Sequence, residues 1–102
     1  MNTASQPEIS RTGINLETAR IPWKELQRFF ASGGAIAVSG ELDLVEVAYQ
    51  ISADHKAQVE QWLSAGMIGK VTDAQALAWF EADAELWAVV VSPFVLVQPF
   101  TN

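Results

Sequence analysis

Apolar residues recur at helical spacing through the first two-thirds of the chain. Trp23, Leu26, Phe29 and Phe30 make one wide apolar face. Pro22 suits the first turn of that helix, and Gly33-Gly34 ends it. Leu44, Val47, Ala48 and Ile51 mark a second helical face, and Val59, Trp62 and Leu63 a third. Polar residues 52 to 55 separate the two, with Asp43 and Asp54 in cap positions. Thr72 and Gln75 stand in capping-box positions before Leu77, Trp79 and Phe80, which predicts one more helix.

Shorter apolar runs read as strands: AIAVS at 35–39, MIGKV at 67–71, and the β-forming stretches 86–91 and 94–97. Pro93 splits the last two, which predicts a strand end or a sheet edge. Residues 1–13 are polar and aperiodic, a flexible tail. Asn15 then offers the cap of a short helix that Pro22 cuts off. Residues 14–102 read as a single compact α+β domain. Across 42–71, two helices and a strand have the layout of a helix-turn-helix and the first strand of a wing. The expected fold is therefore winged-helix-like, a helical bundle packed on a small antiparallel sheet, with the helix after Thr72 inserted between strands.

A chain of 102 residues suits one core, and with half its residues hydrophobic global disorder is excluded. Trp23, Trp62, Trp79 and Trp87 are read as core. The absence of cysteine rules out disulfides, thiolate catalysis and thiolate metal sites, and fits a reducing compartment. The first residues show neither a basic start nor an apolar core, so no signal peptide is read. The longest apolar run, 86–97, falls short of the roughly 20 residues a membrane span needs. The expectation is a soluble cytoplasmic protein without a membrane partner.

Charge sharpens this. Residues 1–40 carry +1 and residues 41–102 carry −7, for a net −6. The C-terminal two-thirds should repel nucleic acid. Arg20, Lys24 and Arg28, at i, i+4 and i+8, could line one helical stripe and dock an acidic surface or a phosphate. His55 is the only histidine, and Asp54-His55 gives no sign of a Ser-His-Asp geometry, so it reads as a solvated turn residue. Asp43 with Glu46, and Glu81, Asp83 and Glu85, read as solvated acidic faces in the absence of any calcium-loop pattern. There is no phosphate-binding glycine motif and no nucleophile elbow. No catalytic, cofactor-binding or metal-ligating residue is assigned.

Four segments carry a resemblance: ETARIPWKELQRFFASG, LDLVEVAYQI, VEQWLSAGMIGKVTDAQALAWF and LWAVVVSPFVLVQ. They resemble a small bacterial family, domain-of-unknown-function family 2288. The resemblance implies no activity, cofactor or catalytic residue, because the family has none assigned. The residues themselves favour a non-catalytic protein-interaction module that binds another protein or itself; the alternative is a nucleic-acid-binding transcriptional regulator. A weak homodimer is expected through a C-terminal sheet edge at Phe94, Val95 and Val97.

Overall fold

The computed structural model describes residues 10–100, which form five helices and one five-stranded sheet. Helices start where a side chain can accept from a free backbone amide. Ser10 caps α1 (Arg11–Glu17) through the Gly13 amide, and Asp43 caps α3 (Leu44–Ser52) through the amides of Val45 and Glu46. Thr72 and Gln75 form a reciprocal capping box on α5 (Asp73–Glu81). Pro22 precedes α2 (Trp23–Ala31), and His55 precedes α4 (Lys56–Ser64). Gly33 (φ 82°) and Gly66 (φ 74°) turn the chain left-handed just after α2 and α4, where a side chain would be strained.

The strands are β1 (Ala19–Pro22), β2 (Ala35–Val38), β3 (Ile68–Lys70), β4 (Glu85–Val91) and β5 (Phe94–Pro99). They lie in the order β1-β4-β5-β2-β3. β2 and β5 run parallel and the other neighbours antiparallel. The class is α+β, but the sheet is mixed and larger than the small antiparallel one expected. Alternation along β4 and β5 builds two cores. Leu86, Ala88, Val95 and Val97 meet Trp23 and Leu26 of α2 and Ala76 of α5. Val89 and Leu96 meet Leu44, Val47 and Ala48 of α3 from the other side. Helices therefore cover both faces rather than forming one bundle, because Val95, Leu96 and Val97 in succession are apolar toward both.

That placement also corrects the expected C-terminal edge. β5 is paired on both sides, and Val95 and Val97 are 1% and 0% exposed. Only Phe94, beside the turn, is partly open. Pro93 lies in that turn, where no ladder hydrogen bond is lost.

At the other end, residues 1–9 of the expected tail lie outside the described residues, and residues 11–13 belong to α1. Asn15 is not a cap; its carbonyl accepts the Thr18 amide as α1 ends. The residues before Pro22 are strand, since Ile21 finds its partner in Leu86. Of the four tryptophans only Trp23 is fully buried; Trp62 and Trp79 are half-buried, and Trp87 is exposed.

Candidate functional site

α5 is apolar on more than one side, and packing chooses between them. Ala76 and Trp79 turn inward, Trp79 meeting the Trp23 ring edge-on at 5.1 Å. Leu77 and Phe80, one turn apart, are left outside at 57% and 48% exposure. Nothing in their type separates them from the core residues beside them. The readable signal is a nine-residue helix with more apolar residues than one buried stripe can use.

The basic stripe is only partly assembled. Arg20 sits on β1, not on a helix, because Pro22 ends the extended segment before α2 begins. It pairs with Glu85 at 3.7 Å and its guanidinium lies 4.4 Å from the centre of the Phe100 ring. Lys24 and Arg28 do share a face of α2. Lys24 pairs with Asp83 at 3.4 Å and its Nζ lies 5.9 Å from the centre of the Phe80 ring, which joins this stripe to the exposed face of α5. Arg28 is exposed over its neighbour Phe29. What assembles is an apolar pair, Leu77 and Phe80, with Lys24 of α2 at its border.

A separate polar network fastens α1 to α3. The Arg11 guanidinium grips the Glu46 carboxylate with two of its nitrogens, Nε to Oε1 and Nη2 to Oε2 at 3.1 Å, and lies 4.1 Å from the centre of the Tyr49 ring. Gln50 Nε2 donates to the same carboxylate at 2.6 Å, and Gln50 Oε1 meets His55 Nδ1. His55 is thus an exposed turn residue held by a glutamine. The hydrogen bond from Arg11, then that from Gln50, lowers the Glu46 carboxyl to about 2. A carboxyl lowered on folding stabilises above its unfolded value and loses that contribution as pH falls through its folded one. α1 is therefore expected to stay docked through pH 4 and to loosen as the pH falls toward 2. In Glu46→Gln that acid step should be absent and α1 looser at neutral pH. Amide shifts of residues 11–17 followed by NMR over pH check this, and an unchanged acid step in the variant would show that the pair does not hold α1.

Three other carboxylates serve locally: Asp43 caps α3, while Asp83 and Glu85 pair with Lys24 and Arg20. Among the described residues no three metal-capable side chains converge. No described helix is long and apolar enough to cross a membrane.

No curated protein matches the chain. It is similar to PA1075 from Pseudomonas aeruginosa, known from an NMR solution structure, with 40% identity and a TM-score of 0.81 over 100% of this chain and 94% of that one. The family model described as protein of unknown function (DUF2288) matches residues 9–99, and the chain belongs to that family.

Proposed function

We propose that the protein is a non-catalytic, cytoplasmic protein-interaction module whose docking face is the outer side of α5 with the adjoining Lys24 of α2. The observation that carries this reading is the pair Leu77 and Phe80, 57% and 48% exposed one turn apart on a helix whose other side is core. Adjacent exposed apolar side chains bordered by charge are what partner surfaces supply. The β2–α3–α4–β3 order supports reading this part of the chain as winged-helix-like, a fold that does not by itself imply nucleic-acid binding. The alternative, a nucleic-acid-binding regulator, would have α4 face phosphates with exposed Lys56, Glu60, Gln61 and Ser64. One lysine against one glutamate offers a phosphate backbone little.

The test is photo-crosslinking from α5 in native bacterial lysate, with the wild type beside Leu77→Asp/Phe80→Asp. A discrete protein should crosslink to the wild type and be lost in the variant, whose stability should shift by only about 0.5 kcal/mol per exposed site. Identical crosslinks in both proteins would refute the face. A salt titration with duplex DNA should show no binding near physiological salt; micromolar binding with a steep salt slope would promote the regulator.

A further inference from the structure

The sheet has two outer strands, and their backbones differ in what they leave open. On β1 the Trp23 amide bonds to the Ala84 carbonyl, which sets the alternation of the antiparallel ladder. Ala19 and Ile21 therefore face β4, and Arg20 and Pro22 face outward. Proline at an outward position removes a donor, so β1 is a blunted edge. On β3 the bonds Ser39 N–H to Met67 O and Val71 N–H to Ala35 O set the alternation. Gly69 faces β2, while Ile68 and Lys70 turn both their amides and their carbonyls outward. No proline interrupts them. Beside this edge runs an open groove of about 470 Å³, with Ala37, Ser39, Gly69, Thr72 and Gln75 in its lining.

The geometry points to β3 as a self-pairing edge, where a second copy of this chain adds its own β3 antiparallel across a twofold axis at Gly69. In that register Ile68 of one copy opposes Lys70 of the other, and every outward amide and carbonyl on both strands finds a partner. The neighbouring registers do worse. Centring on Lys70 sets two ammonium groups face to face, and centring on Ile68 leaves Lys70 opposite the turn at Gly66. The two Gly69 residues meet at the axis as a non-hydrogen-bonded pair, the closest kind of cross-strand approach. A Cβ at Gly69 would have nothing within 4 Å in the single chain, so the space is open on the protomer side. α4 packs against β3, and Leu63 near the C-terminal end of α4 is 51% exposed. With only Ile68–Lys70 engaged, the pairing is weak and concentration-dependent. This edge is separate from the α5 face, so either can fail without the other.

The experiment is light scattering over a concentration series to millimolar, on the wild type and three variants of Gly69. The wild-type mass should rise from 11.1 kDa toward twice that value. Gly69→Asp and Gly69→Lys should each stay monomeric, because like charges then face each other across the axis, and Gly69→Ala should still dimerise. An equimolar mixture of the Asp and Lys variants should recover the dimer, which happens only if position 69 faces its own copy. Amide exchange at Ile68 and Lys70 in the wild type should slow as concentration rises, a readout that needs no variant. A constant monomer mass with concentration-independent exchange overturns the proposal, as does a dimer that survives Gly69→Asp. Retention of the α5 crosslink in monomeric Gly69→Asp would show that the two surfaces are distinct.

Discussion

Val97→Asp should yield no folded protein. Val97 is 0% exposed at the centre of β5, with β4 on one side and β2 on the other, and it packs in the core shared by α2 and α5. An aspartate there has no cation to meet. Burying an unpaired carboxylate costs several kcal/mol even after relaxation, added to the lost valine packing. The total stability expected of such a domain is about 5–15 kcal/mol. Val90→Asp is the control: it lies on the same strand pair but is 61% exposed, and its effect should stay within about 0.5 kcal/mol. Far-UV circular dichroism and thermal melts distinguish the outcomes. A cooperative native-like melt for Val97→Asp would mean that β5 is not an interior strand.

Trp23→Ala should be the most damaging truncation in the other half of that core. Trp23 is 1% exposed, with Trp79 at 5.1 Å and Phe30 at 5.9 Å between ring centres. Losing such a side chain costs about 3–5 kcal/mol, and each kcal/mol is worth about 4–8 °C in a domain of this size. The informative comparison is Trp23→Phe. Among the described residues the buried Trp23 Nε1 has no hydrogen-bond partner, and an unsatisfied buried donor carries a penalty of about 1–3 kcal/mol. Phenylalanine removes that donor while keeping a ring against Trp79, so the two changes partly offset. Trp23→Phe is expected within about 1 kcal/mol of wild type. Calorimetry on both variants decides it. A loss in Trp23→Phe as large as in Trp23→Ala would mean that the indole N–H is hydrogen-bonded after all.

Signals that act over a few residues were legible in the chain. Asp43 accepts two amides at the start of α3, Thr72 and Gln75 cap α5 reciprocally, and Gly33 closes α2. The run at 35–39 holds the strand Ala35–Val38, and β4 stops just before Pro93. Errors came where a short segment had no strong local preference. Residues 19–22 become strand only because β4 lies beside them to accept them. The basic stripe lost Arg20 for the same reason: its spacing assumes one helix through Pro22, and the chain is extended there.

What the sequence by itself determined is therefore part of the inventory: the caps of α3 and α5, the stops at Gly33 and Pro93, the α+β class, and the family. Caps, turns and apolar periodicity are local interactions, and their energies depend on neighbours in the chain. Tertiary structure alone decided the order of the strands, the burial of β5 on both faces, and the choice of Trp79 rather than Leu77 or Phe80 to turn inward. It also decided which outer strand turns amides outward with no partner among the described residues. Pairing and burial are settled by residues far apart in sequence, here β2 against β5 and α2 against α5. A valine in a central strand and one at an edge look alike until the partner strand is in place.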